Sequence, residues 1–105
     1  MVGIDIIEVI RVKNMIDRYG DKFLNRVFTN DEILYAGKNR RIAESLAGRF
    51  AAKEAFIKAI GTKVPWKLIN VLQNQGNPYI EYLGKRYDDV SISHERAYAV
   101  SIVVI

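Results

Sequence analysis

The stretch Arg41-Ile42-Ala43-Glu44-Ser45-Leu46-Ala47-Gly48-Arg49-Phe50-Ala51-Ala52-Lys53-Glu54-Ala55-Phe56-Ile57-Lys58-Ala59-Ile60, closed by Gly61, decides the architecture. It reads as the longest helix of the chain, and glycine is its natural stop. At about 100° per residue, Ile42, Ala43, Leu46, Ala47, Phe50, Ile57 and Ile60 share one face. The opposite face carries Gly48, Ala52, Ala55 and Ala59 in place of the usual charges. Both sides of this helix are therefore expected to be covered, and for so short a chain a second subunit is one source of cover. Glu54 falls inside the apolar arc, between Ala47 and Phe50. A carboxylate there is costly unless it is paired, protonated or bound to a cation.

Working outward, Val2–Ile7 is a β-branched run and reads as a first strand. Val9, Val12, Met15, Ile16 and Tyr19 have helical spacing up to Gly20. Asp21 is positioned to cap a short helix carrying Phe23, Leu24 and Val27. Thr29 with Glu32 forms a capping-box pattern opening another that ends at Gly37. After Pro65 the character changes. Trp66–Gln73 and Tyr79–Leu83 read as hairpin strands around Gln75-Gly76-Asn77-Pro78, and Asp89–His94 with Tyr98–Ile105 as a closing hairpin. One strand, several helices and then mostly antiparallel strands give an α+β fold: a long central helix with shorter helices packed on the sheet. No repeat or linker interrupts it, so residues 1–105 are expected to form a single domain.

The chain has 105 residues, half of them hydrophobic, which is enough to bury one core. It contains no cysteine and a single histidine, which excludes a disulfide scaffold, thiol catalysis and a multi-histidine metal cluster. The apolar runs are too short to cross a bilayer. Met1-Val2-Gly3-Ile4-Asp5 places an acid where a signal peptide needs its hydrophobic centre, so no export signal is expected and the expected location is cytoplasmic. The net charge of +4 makes the chain mildly basic.

Asp5 repeats the question raised by Glu54. It is the only charge in an apolar strand, on the face shared with Gly3 and Ile7. Two acids on different elements, both at positions expected to be buried, suggest a shared cation. Oxygen ligands select Mg²⁺ or another hard ion, which takes one or two carboxylates together with phosphate oxygens. Lys58 follows Glu54 by one turn, and Arg49, Lys53 and Lys38-Asn39-Arg40-Arg41 surround the same helix with positive charge. Acids ringed by cations describe a phosphate-ester or pyrophosphate site. On spacing alone, Glu54 and Lys58 also form an ordinary i,i+4 surface pair. Asp5 could equally accept backbone N–H bonds at a strand end, and His94 could be a satisfied edge histidine.

Read as strings, three blocks resemble the holo-[acyl-carrier-protein] synthases, the small 4′-phosphopantetheinyl transferases. They are Gly3-Ile4-Asp5-Ile6-Ile7-Glu8-Val9 with Arg11, Leu46 to Ala59, and Ser91-Ile92-Ser93-His94 followed by Tyr98-Ala99. They occur in the family's order and cover essentially the whole chain, the middle block being the most specific. The resemblance implies transfer of the 4′-phosphopantetheine arm of coenzyme A to a serine of apo acyl carrier protein, in support of fatty acid biosynthesis. Adenosine 3′,5′-bisphosphate would be released. It implies that Asp5 and Glu54 hold Mg²⁺ against the pyrophosphate and that Lys58 stabilises or protonates the leaving phosphate. Glu54, or a metal-bound water oriented by Asp5, would take the serine proton. Arg49, His94 and Arg41 match positions at the nucleotide end. Gly61-Thr62 matches a loop meant to lie close to a phosphate.

The resemblance also implies a homotrimer with active sites at subunit interfaces. Arg11 matches a carrier-binding arginine; Lys22 and Arg26 are candidates nearby, with Met15 and Phe23 as apolar contacts. Two departures bear on coenzyme A. Lys63 stands where the family usually has a second glycine, and Asn77 replaces the lysine of a Gly-Lys-Pro hairpin. A nucleic-acid-binding module would interleave Arg and Lys with exposed aromatics on strands. Here the strands are Val/Ile-rich and the basic residues crowd the helical half, so no nucleic-acid partner is expected. A subunit that binds carrier protein without chemistry is opposed by the intact Asp5, Glu54 and Lys58.

Overall fold

Every helix and strand of the computed structural model, which describes residues 1–105, is arranged around one helix, α4 (Ile42–Ile60). Before it come strand β1 (Val2–Glu8) and helices α1 (Val9–Tyr19), α2 (Asp21–Val27) and α3 (Asn30–Gly37). After it come β2 (Ile69–Asn74), β3 (Asn77–Tyr82), β4 (Lys85–Tyr87), β5 (Val90–His94) and β6 (Tyr98–Val104). The strands form two antiparallel three-stranded sheets, ordered β1-β6-β5 and β2-β3-β4. The fold is α+β with α4 central, as the sequence leads one to expect, but the strands divide between two sheets where one mostly antiparallel sheet is expected.

Local chemistry explains most boundaries. The capping box opening α3 is complete: Thr29 Oγ1 accepts the Glu32 N–H, and Glu32 Oε1 accepts the Thr29 N–H at 2.8 Å. Helix α2 is preceded by Gly20 in the cap position, so Asp21 is its first residue and not its cap. Trp66–Leu68 is a single 3₁₀ turn and not the start of a strand, because Pro65 sets the entry and the Leu68 N–H closes back on the Pro65 carbonyl. The β2–β3 loop is only two residues long, with Gln75 and Gly76 both at positive φ, the backbone that a tight hairpin requires. Pro78 thus lies within β3. The three-residue β4, too short and too charged to stand out in the sequence, pairs with β3.

Both faces of α4 are covered as expected, Leu46 and Ala47 being fully buried on the first, but the small-residue face is the more completely buried of the two. Gly48, Ala52, Ala55 and Ala59 are fully buried, whereas Ile42 is exposed and Phe50, Ile57 and Ile60 are half-buried. The small residues let a sheet backbone approach the helix directly. A Cβ on Gly3 would lie 1.8 Å from the Ala55 carbonyl oxygen, and one on Gly48 3.1 Å from the Ile92 side chain. Cover for the small face therefore comes from the chain's own β1-β6-β5 sheet, with no second subunit needed there. The N-terminal half of α4 packs with α1–α3 around Val12, Phe28 and Leu46. Its C-terminal half packs on β2 and β3 around Phe56, Ile69 and Ile80, with Tyr82 and Tyr87 edge-on to Phe56. Gly3→Ala is expected to destabilise the fold by about 1–3 kcal/mol or more, because neither backbone can yield. An unchanged urea midpoint would contradict that close approach.

Candidate active site

Two groups of charged side chains flank α4, and they lie at opposite edges of the β1-β6-β5 sheet. At the β1 edge, Lys58 Nζ donates to Asp5 Oδ1 at 3.3 Å and to the Ile4 carbonyl at 3.0 Å. The Asp5 side chain is only 15% exposed, facing the helix as its strand parity dictates. Gly3 abuts Ala55 and Ala59, while Ile7 shares a core cluster with Ala47 and Ala51. Asp5, between them on the strand, lies alongside the turn that carries Glu54. Glu54 is half-buried and takes part in none of the ion pairs of the chain. The structure thus brings Asp5 and Lys58 into contact, with Glu54 one turn before Lys58 on the same strip of helix. Gly61 and Thr62 are exposed just beyond it, at the C-terminal end of α4.

At the β5 edge lies a cavity of about 860 Å³ bordered by Lys38, Arg40, Arg41, Arg49 and His94. Arg49 is buried: its guanidinium stacks over the Tyr35 ring at 4.3 Å, and Nη1 donates to Ser45 at 3.3–3.4 Å. Its Nε has no partner. Burial pushes the Arg49 guanidinium below its ordinary pKa, partly opposed by Glu32 and Tyr35. His94 Nδ1 is 2.7 Å from Glu44 Oε1, whose other oxygen is 3.5 Å from Arg41. His94, first through its hydrogen bond and then through its charge, and Arg41 to a lesser degree hold the Glu44 carboxyl below the usual carboxylate range. The Gly76–Pro78 hairpin, where Asn77 departs from the family's lysine, also borders this cavity through Gly76 and Pro78.

Sheet register separates the two groups. Asp5 pairs with Ser101, which pairs with Ile92; Ile7 pairs with Ala99, which pairs with His94. Asp5 and His94 are thus two strands apart, roughly 10 Å across the sheet. Arg41, Arg49 and His94 gather at one cavity, and Asp5, Glu54, Lys58, Gly61 and Thr62 are not among its walls.

Two expectations need correction. Lys53 does not add to the charge around the helix: it is fully buried, 2.6 Å from the equally buried Glu32. Lys53 also donates to the Val27 and Trp66 carbonyls, and Glu32 accepts from the Val71 N–H. Phe23 is a core residue, edge-on to Phe28 at 5.8 Å, and offers no exposed apolar contact to a partner. Arg11, Met15, Lys22 and Arg26 are exposed on α1 and α2. Neither Glu44 nor Tyr35 reads as a site residue from the sequence; for Glu44 the one available signal is its spacing of three from Arg41.

Comparison with known proteins identifies the family. A family model described as the 4′-phosphopantetheinyl transferase superfamily matches residues 1–103. Holo-[acyl-carrier-protein] synthases from Clostridium tetani and Chlorobium limicola are 46% and 42% identical, each alignment covering 99% of this chain and 93% and 91% of the relative. A Bacillus anthracis holo-(acyl-carrier-protein) synthase in complex with CoA (3′,5′-ADP) is 38% identical with a TM-score of 0.80, over 97% of this chain and 91% of that one. The Helicobacter pylori holo-[acyl-carrier-protein] synthase in complex with coenzyme A is 29% identical with a TM-score of 0.87, over 99% and 98%. Full-length similarity of sequence and fold therefore leads to one conclusion: the chain belongs to the 4′-phosphopantetheinyl transferase superfamily, among its holo-[acyl-carrier-protein] synthases.

Proposed function

We propose that the protein is a cytoplasmic Mg²⁺-dependent transferase that moves the 4′-phosphopantetheine arm of coenzyme A onto a serine of apo acyl carrier protein, in support of fatty acid biosynthesis. Adenosine 3′,5′-bisphosphate is the leaving product. The observation that carries this reading is the Asp5–Lys58 contact beside Glu54, an acid with no ion-pair partner. Two carboxylates fit a hard ion that completes its shell with phosphate oxygens and water, and no group of three or more His, Cys, Asp or Glu offers a closed metal cage. Bound there, Mg²⁺ would supply charge neutralisation on the transferring phosphate. Asp5 and Glu54 would hold it. Glu54, or a water oriented by Asp5, would accept the serine proton, and Lys58, half-exposed at the same edge, would stabilise the departing phosphate. Arg49, with its unpartnered Nε, and His94 and Arg41 on the cavity rim would bind the nucleotide end.

No helix is long and apolar enough to cross a membrane. The partner surface would instead be the exposed Arg11, Lys22 and Arg26, with the exposed Met15 as the apolar contact. These would steer an acidic carrier protein and act mainly on association rate and salt dependence.

The separation of the two groups favours assembly, because one chain does not gather them. The outer face of the first sheet carries the cross-strand pairs Val2/Val104, Ile4/Ile102 and Ile6/Val100, with Val2, Ile4 and Ile6 about 60% exposed. Apolar ladders of this kind are seldom left in water. A homotrimer would cover them and bring the β1 edge of one copy toward the cavity of another. Ile4→Glu is expected to yield monomers by light scattering and to abolish transfer; a fully active monomer would contradict shared sites. The reaction itself is tested by incubating the protein with apo acyl carrier protein, coenzyme A and Mg²⁺, then weighing the carrier by mass spectrometry. Gain of one phosphopantetheine, lost with chelator, is the expected result; an unmodified carrier would overturn the reading.

A further inference from the structure

Glu44 occupies the third position of α4, where an acid ordinarily does no more than favour the helix N-terminus. Its two oxygens are engaged otherwise. Oε1 meets His94 Nδ1 at 2.7 Å, a residue fifty positions away on β5, and Oε2 lies 3.5 Å from the Arg41 guanidinium. The Glu44 side chain is only 11% exposed, while those of His94 and Arg41 are 44% and 59% exposed, and all three border the same cavity. A shielded carboxylate thus tethers two more exposed side chains at the mouth of a cation-lined cleft.

We propose that Glu44 is a positioning residue for coenzyme A: by engaging His94 Nδ1 and Arg41 at once, it fixes the ring with Nε2 free for the ligand and holds the guanidinium beside it. The inference rests on the reading above that this cavity takes the phosphate-bearing nucleotide end. The nitrogen of an imidazole that is left for a ligand is set by the partner of the other nitrogen, so an anchored Nδ1 assigns Nε2 to the cavity. Other charged groups at the cavity are Lys38 and Arg40 on the preceding loop and Arg49 on α4, none of which contacts the His94 ring as a hydrogen-bond partner. Glu95, next to His94, is engaged with the Ala97 and Tyr98 N–H groups. Glu44 alone therefore sets the ring.

His94 is the only histidine of the chain, so its imidazole nitrogens give a single ¹⁵N pattern in the intact protein. The experiment compares the parent with Glu44→Ala and Glu44→Gln, reading that pattern with and without coenzyme A, together with KM and kcat for transfer. Glu44→Ala is expected to change the Nδ1 signal of the free protein and to raise the KM for coenzyme A roughly tenfold with kcat nearly unchanged, the value of one lost hydrogen bond. Glu44→Gln keeps an acceptor at Nδ1 and is expected to recover most of that loss. An unchanged His94 pattern in Glu44→Ala, an unchanged KM, or equal losses in both variants would overturn the inference while leaving the transferase reading in place. If Glu44→Ala does not fold, the Gln comparison and the parent spectrum still decide it, since an Nδ1 signal without a hydrogen-bond partner would also overturn it. A parent spectrum indifferent to saturating coenzyme A would instead strike at the placement of the nucleotide in this cavity.

Discussion

Glu54→Gln is expected to lower kcat for phosphopantetheine transfer by at least about 100-fold, with the melting temperature and oligomeric state retained. The amide keeps the shape of the side chain and removes the charge. That charge is not needed by the fold, since Glu54 is half-buried and takes part in no ion pair. A group that acts on charge developing in a transition state commonly contributes on this scale. The effect should fall on kcat and on divalent-ion dependence more than on carrier affinity, because the basic residues assigned to the carrier lie on α1 and α2. Steady-state kinetics at varied Mg²⁺ would measure both. A variant with parental kcat would remove Glu54 from the chemistry.

The second large effect is on stability. Lys53→Met is expected to destabilise the protein by about 3–5 kcal/mol, because it strands the fully buried Glu32 carboxylate without its cation. Burial already pushes Glu32 above the ordinary carboxylate range and Lys53 below the ordinary lysine value, each opposed by the other's charge. Thr29, Val71, Val27 and Trp66 supply the remaining hydrogen bonds, so the pair ties α3, α4, β2 and the 3₁₀ turn together. Replacing both partners by apolar residues of similar volume should cost much less than either single change. Urea denaturation of the two single variants and the double variant would show this as strong coupling. Additive losses would mean that the two side chains do not act as one unit.

Glu32 marks the boundary of what could be read before the structure. Its role in the capping box is local and follows from Thr29 three residues earlier. Its partnership with Lys53 depends on how α3 crosses α4, and no spacing rule contains that. What covers the small face of α4 is hidden from the sequence for a related reason. Periodicity weights large apolar side chains, whereas Gly48, Ala52, Ala55 and Ala59 are buried because they are small enough for strands to lie against them. Asp5 and Glu54 stood out as charges in apolar surroundings, and His94 and Arg49 through the family's motifs. Glu44 resembled any acid in a first helical turn, and only the position of β5 reveals its hydrogen bond to His94.

The proposed chemistry depends on one divalent ion shared by two acids from β1 and α4. Anomalous scattering from crystals grown with coenzyme A and Mn²⁺ measures this directly. A single Mn²⁺ peak in contact with carboxylate oxygens of both Asp5 and Glu54 and with the coenzyme's diphosphate is the expected result. A peak held by only one of these acids, or coenzyme A bound with its diphosphate away from both, would contradict it.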